Sequence, residues 1–203
     1  MEEYTQKYTE SGKVGGFLID NYFKNVKELI SLTDIQSKSK GNVLEVGCGP
    51  GYSTQELLNM VPKDINFKAS DIEEENLEDA SKLLGDRVSL SKEDIYDLNI
   101  EDSSVDLIFV LEVLEHLEDP QKALEEIKRV TKEYAIVGVP REPIWRMLNM
   151  IRFKYLKDLG NTPGHIQHWS SISFKKLLKD NGFEIIKVKQ PLPWTMVLIK
   201  KVD

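Results

Sequence analysis

Three glycines, Gly47, Gly49 and Gly51, follow directly on the apolar run Val43-Leu44-Glu45-Val46. Glycine reaches positive φ without strain and lets a ligand approach the backbone closely. A strand, a glycine turn and the helical pattern that opens at Tyr52-Ser53-Thr54 make a nucleotide-binding corner. Asp71 stands 20 residues beyond Gly51, at the end of the next apolar run, Phe67-Lys68-Ala69-Ser70. A carboxylate there can accept hydrogen bonds from both hydroxyls of a ribose. Its alternative is to cap the helix that begins near Glu73. Farther on, Glu112, Glu115 and His116 follow another apolar run, and His165 and His168 close a polar loop. A neutral imidazole can take a proton near pH 7, so His116 is a candidate base. Its alternative is a structural hydrogen bond at a helix start.

The glycine spacing decides which nucleotide. The dinucleotide fingerprint places its third glycine where this chain has Tyr52. An acid at the position of Asp71 serves dehydrogenases as well, so Asp71 alone does not separate the two. The form h-h-E-h-G-x-G-x-G over Val43–Gly51 resembles the first motif of the class I S-adenosylmethionine (SAM)-dependent methyltransferases. Val110-Leu111-Glu112-Val113-Leu114-Glu115-His116-Leu117 resembles a signature of that family's small-molecule branch, and is similar to the enzymes that methylate quinone precursors. The motifs cover about residues 41–140.

The resemblance implies a set of contacts. SAM is the cofactor. Glu45 holds its methionine amino group or orients the glycine loop, and Gly47, Cys48, Gly49 and Gly51 form that loop. Asp71 and Ile72 meet the ribose, Asp94 and Ile95 the adenine, and Leu111 the methionine end. His116 lies near the transferred methyl group. In related enzymes an N-terminal segment folds over the cofactor, a role open to Tyr4 and Tyr8. Cys48 is not a nucleophile, since no basic partner adjoins it in sequence. The N-P-P-Y motif of amide methylation is absent, as is the Pro-Cys nucleophile of cytosine C5 enzymes. The acceptor is therefore expected to be a small molecule rather than a nucleic acid. The net charge of 27 − 34 = −7 agrees, because non-specific nucleic-acid binding needs a basic footprint.

An insert over residues 141–168 interrupts the pattern. Its first 24 residues, 141–164, carry five basic side chains (Arg141, Arg146, Arg152, Lys154, Lys157) against Glu142 and Asp158. Ile144, Leu148, Ile151, Tyr155 and Leu159 recur at helical spacing, which predicts an amphipathic cap helix. Three readings of it stay open. As a lid it forms the acceptor pocket, with Arg141 or Arg146 holding an anion and His165 or His168 beside it. As a surface helix it meets a lipid-like acceptor. As a plain helix it packs on the core. No cysteine or further histidine joins His165 and His168, so no metal is expected there.

These groups need a scaffold. Candidate strands at 43–47, 65–70, 87–91, 105–111 and 134–139 alternate with candidate helices at 52–61, 73–84 and 120–131, which predicts a parallel sheet covered on both faces. Residues 14–32 form an earlier helix, within an N-terminal helical segment of 1–40, and 171–180 a later one. Runs at 183–189 and 194–200, joined through Pro191 and Pro193, predict an antiparallel edge hairpin. The whole reads as one α/β domain over 1–203. By resemblance it is Rossmann-like, a doubly wound seven-stranded sheet with a helical cap insert. Cys48 is the single cysteine, which points to a reducing compartment. The start, Met1-Glu2-Glu3-Tyr4, is unlike a secretory leader. No apolar run approaches the roughly 20 residues of a spanning helix. A cytoplasmic protein without stable membrane insertion is expected. The sequence names neither the acceptor atom nor an oligomeric state.

Overall fold

A computed structural model describes residues 13–202. Tyr4 and Tyr8 lie outside the described residues. The chain runs through α1 (Lys13–Ile30), β1 (Asn42–Val46), α2 (Tyr52–Leu58), β2 (Asn66–Asp71), α3 (Glu74–Leu84), β3 (Ser89–Lys92) and β4 (Val105–Leu111). It continues through α4 (Pro120–Val130), β5 (Thr131–Pro140), α5 (Ile144–Ile151), α6 (Ser171–Asp180), β6 (Phe183–Lys189) and β7 (Trp194–Lys201). The strands form one seven-stranded sheet in the order β3-β2-β1-β4-β5-β7-β6. The first five are parallel. β7 lies antiparallel between β5 and the edge strand β6. The link between β6 and β7 is too short for a crossover, so the chain can only reverse.

Alternation along the central strand divides the core. Leu107, Phe109 and Leu111 pack on one face with Tyr22, Phe23, Val26, Leu29 and Leu57 of α1 and α2. Ile108 and Val110 pack on the other with Ala123, Leu124 and Ile127 of α4 and Phe174 and Leu178 of α6. Every residue of β4 is buried. The helix ends follow their sequence signals. Asp119 caps α4, its carboxylate accepting from the Lys122 amide, with Pro120 in the first turn.

This order sets the site. The sequence of strands reverses between β1 and β4, and open α/β sheets bind ligands beyond the carboxyl ends at such a reversal. Val46 of β1 pairs in register with Val110 of β4. The glycine loop and the segment that carries His116 therefore emerge side by side.

The insert departs from its expected form. Its apolar spacing predicts a helix through Leu159, but α5 ends at Ile151. Phe153, Tyr155 and Leu159 take left-handed backbone angles, with φ of 56°, 52° and 50°. The chain turns back because α5 carries polar groups that the returning loop satisfies. The buried Asn149 amide donates to the Gly160 carbonyl at 2.9 Å, and Trp145 Nε1 donates to Thr162 Oγ1 at 2.9 Å. Gly160 makes the close approach with φ of 77°, and a Cβ there would lie 2.3 Å from the Arg146 carbonyl. Ile151 and Leu159, inward in a single long helix, are exposed. Smaller boundaries also differ from the sequence reading, and α2 ends at Leu58 rather than 61. β5 begins at Thr131 rather than 134, and β3 covers 89–92 rather than 87–91.

Candidate functional site

The glycine loop is shaped by two packed glycines around one open one. The Gly47 and Cys48 amides both donate to the Ser70 carbonyl, at 2.8 and 2.9 Å, which folds the loop across the end of β2. All three glycines have positive φ (76°, 53° and 91°). A Cβ on Gly47 would lie 2.4 Å from Val113, and one on Gly51 would touch Leu84 and Ala80 at 3.0–3.1 Å. A Cβ on Gly49 would meet nothing within 4 Å. Gly49 therefore presents bare backbone to open space, as close ligand approach requires. The Cys48 side chain is buried in the core and its thiol is pushed far up by burial, so only its backbone can face a ligand.

Glu45 braces this loop from inside the sheet. It is buried, and its two carboxylate oxygens accept from Ser53 Oγ and Thr54 Oγ1, each at 2.6 Å. The first turn of α2 is thereby tied to β1. Burial raises the Glu45 pKa to about 7, opposed by the two hydroxyls and reinforced by the nearby charge of Asp71. The native state thus keeps a proton up to about pH 7 that the unfolded chain releases near 4.5. The native state binds more protons across that window, so stability falls as pH rises through it, by up to ~3 kcal/mol. Glu45→Gln is expected to remove this slope. Urea unfolding at pH 5 and pH 8 tests it, and equal slopes for both proteins would show that Glu45 does not titrate there.

At the end of β2, Asp71 makes the bonds of a helix cap and also ties down the glycine loop. Its Oδ2 accepts from the Gly49 amide at 2.8 Å. Its Oδ1 accepts from the Glu73 amide at 2.9 Å and from Asn76 Nδ2 at 3.1 Å, at the start of α3. With two acceptor positions on each oxygen, Oδ2 keeps one for a ligand beside Gly49. Ile72, next in the chain, is 54% exposed and offers an apolar surface at the same edge. Beyond β3, Asp94 is exposed and closes a short turn, with Oδ1 accepting from the Tyr96 amide at 2.9 Å. The Ile95 side chain packs in the core.

The carboxyl end of β4 supplies the other half. Leu111 packs in the core, and its side chain would lie 3.3 Å from a Cβ on Gly138. Glu112 turns the chain with φ of 60°, its amide donating to the Gly138 carbonyl at 2.9 Å. A 3-10 turn, Leu114–His116, follows. His116 Nδ1 contacts the Gly164 carbonyl at 3.0 Å, and its ring stands edge-on to His165 at 4.8 Å. His165 lies 5.7 Å from Trp145, which lies 5.8 Å from Trp194, which lies 4.9 Å from Tyr22. An aromatic row thus runs from His116 to α1.

The remaining insert residues divide. The Arg146 guanidinium contacts His168 Nε2 at 2.8 Å and lies 3.7 Å from the Glu142 carboxylate. His168 also contacts Asn161 Oδ1, and the Asn161 amide donates to the His165 carbonyl. Burial, and then the Arg146 charge, lower the His168 pKa, so this imidazole stays neutral. Arg141 instead donates to Gln190 Oε1 at 2.9 Å, toward the loop before β7. The structure joins His116 to His165 and His168 to Arg146 directly, links the two pairs through Asn161, and leaves Arg141 outside that chain. Sequence reading missed Trp145 and Trp194 as wall residues and Glu115 as a neighbour of the two histidines. No spacing signal marks them, because their partners come from distant segments.

A seven-stranded mixed sheet with a glycine loop, an acid after β2 and the β1/β4 reversal is a Rossmann-like α/β fold, shared with solved methyltransferases. Residues 44–137 match the family model described as a methyltransferase domain. A SAM-dependent methyltransferase from Aquifex aeolicus superposes with a TM-score of 0.69 at 24% identity, covering 88% of each chain. Magnesium protoporphyrin IX methyltransferase from Synechocystis, solved with bound S-adenosylhomocysteine, gives 0.70 at 16% identity over 99% of this chain and 94% of that one. A probable SAM-dependent methyltransferase of Mycolicibacterium smegmatis is 24% identical over 85% of this chain and 63% of its own length. The chain spans less than two thirds of the curated relatives it matches first. Among the described residues no helix is long and apolar enough to cross a membrane.

Proposed function

We propose that the protein transfers a methyl group from SAM to a small-molecule acceptor and releases S-adenosylhomocysteine. The observation that carries this reading is the pairing of bare backbone at Gly49 with the remaining acceptor position of Asp71 Oδ2. That pairing suits a ribose lying over a glycine loop. The donor set fits SAM on the same ground. Gly47, Cys48, Gly49 and Gly51 would carry the methionine portion, with Glu45 bracing them from below. Asp71 and Ile72 would meet the ribose, and Asp94 with the Ile95 amide the adenine. The Leu111 backbone would border the methyl end.

SAM brings a methyl group already activated on a sulfonium, so the protein mainly aligns acceptor, carbon and sulfur. An acceptor hydroxyl or acidic carbon also needs to lose a proton, and His116 is the group beside it. The aromatic row from His165 through Trp145 to Trp194 supports a flat acceptor, such as the phenolic rings of quinone precursors. The insert bears Arg152, Lys154 and Lys157 among the exposed Met147, Ile151, Phe153 and Leu156, which supports an anionic or lipid-like acceptor. The single buried cysteine supports a cytoplasmic setting.

Calorimetric titration with SAM, S-adenosylhomocysteine and NAD tests the cofactor assignment. Micromolar binding of the first two is expected. Binding of NAD with none of SAM would overturn it.

A further inference from the structure

We propose that Glu115, His116 and His165 bind one divalent transition-metal cation, with zinc preferred, at the acceptor side of the site. One donor atom from each lies within 4.8 Å of the others. Two imidazoles and one carboxylate are the donor set of open, catalytic-type zinc sites. Nitrogen donors select zinc and its neighbours, whereas magnesium and calcium take oxygen. Donors at ~2.1 Å from a tetrahedral ion stand ~3.4 Å apart. The present spread therefore closes by ~1.4 Å at most, within reach of side-chain rotation.

Three further features organise the cluster. His116 Nδ1 faces the Gly164 carbonyl at 3.0 Å, which holds the proton on Nδ1 and leaves the Nε2 lone pair for a ligand. A carbonyl behind a metal-binding histidine is the usual orienting arrangement. The Glu115 carbonyl accepts from both the Ile166 and Gln167 amides at 3.0 Å, so the loop bearing His165 is fastened to the turn bearing Glu115 and His116. Glu115 and His165 are only 1% and 6% exposed, while His116 reaches solvent. The cluster thus has a closed floor and an open mouth, and leaves a coordination position toward the accessible side.

The catalytic use rests on the methyltransferase reading. An acceptor hydroxyl on the cation loses its proton to water more readily, as metal-bound oxygen acids do. The resulting oxyanion attacks the methyl carbon. The C–S bond breaks, its electron pair stays on sulfur, and neutral S-adenosylhomocysteine leaves. In the loaded protein His116 is then a ligand, and the cation rather than the free imidazole lowers the acceptor pKa.

The test uses the full, tag-free chain, stripped with a chelator and titrated with Zn2+ against a chromophoric competitor, and with Co2+ by absorption. One equivalent of Zn2+ with a Kd of micromolar or below is expected. His116→Ala and His165→Ala should each weaken it at least 100-fold, with Glu115→Gln as an isosteric third variant and thermal melts to confirm folding. The wild-type Co2+ spectrum should show the intense bands of a four- or five-coordinate site. A weak six-coordinate spectrum at one equivalent, or unchanged Zn2+ affinity in a folded His165→Ala protein, would overturn the proposal. SAM titration of the same wild-type preparation is a separate readout. Cation binding without SAM binding would leave this site standing and remove the methyltransferase reading.

Discussion

Replacing His116 with alanine is expected to lower turnover by ~10²–10⁴-fold while SAM affinity stays within about twofold of the parent, because a positioned base, or a cation that this imidazole holds, contributes a factor of this size. The ring contacts the Gly164 carbonyl and the edge of His165, on the β4 side of the β1/β4 reversal. The groups assigned to SAM stand on the other side, on the glycine loop and at Asp71, and none of them contacts His116 in the hydrogen-bond network. His116 is solvent-accessible, so its loss leaves no core cavity, and a stability change below ~1 kcal/mol is expected. The measurement is S-adenosylhomocysteine release at saturating SAM with an acceptor found by screening, followed across pH. A folded variant that turns over like the parent would reduce His116 to a clasp for the 160–168 loop.

Asp71→Ala is expected to weaken SAM binding ~100-fold, which is ~2.7 kcal/mol at about 1.4 kcal/mol per decade. The loss combines a charge-assisted bond to the ribose with the shape of the loop itself. The carboxylate holds the Gly49 amide at 2.8 Å and the Glu73 amide at 2.9 Å, so its removal also frees two backbone donors. Hydrogen bonds to a charged group are worth ~1.5–3 kcal/mol each; water replaces most of that at the part-buried Glu73 amide, so the buried Gly49 amide carries the loss. Stability should therefore fall by less, ~1–2 kcal/mol. Paired calorimetric titration and thermal melting decide between the two roles. A variant with lost stability and unchanged SAM affinity would make Asp71 a cap and a loop tie only.

How much was legible in the sequence differs between the two halves of the site. The placement of the half assigned to the cofactor was readable because its parts are short and contiguous. Glycines at 47, 49 and 51 must follow a strand to be useful, and Asp71 must end the next one, so spacing alone places them at one edge. The acceptor half was not. The helical spacing of Ile144 through Leu159 describes a helix that α5 completes only to Ile151, because buried Asn149 and Trp145 bond the returning loop instead. Periodicity records which positions are apolar, not which buried polar group will recruit a partner. Arg141 and Arg146 read alike in sequence, yet one turns to Gln190 and the other to His168.

Local pattern by itself determined the α/β class, the covered parallel sheet, the closing hairpin and the strand–glycine turn–helix corner. Strand and helix periods and turn chemistry act over a few residues, and each of these features lies within such a span. The tertiary structure alone decided which strands adjoin at the reversal, and so set the glycine loop beside the β4 end. It alone brought His165 to Glu115 and His116, which precede it by 50 and 49 residues. Such a meeting depends on loop closure and side-chain direction, which no window of the sequence contains.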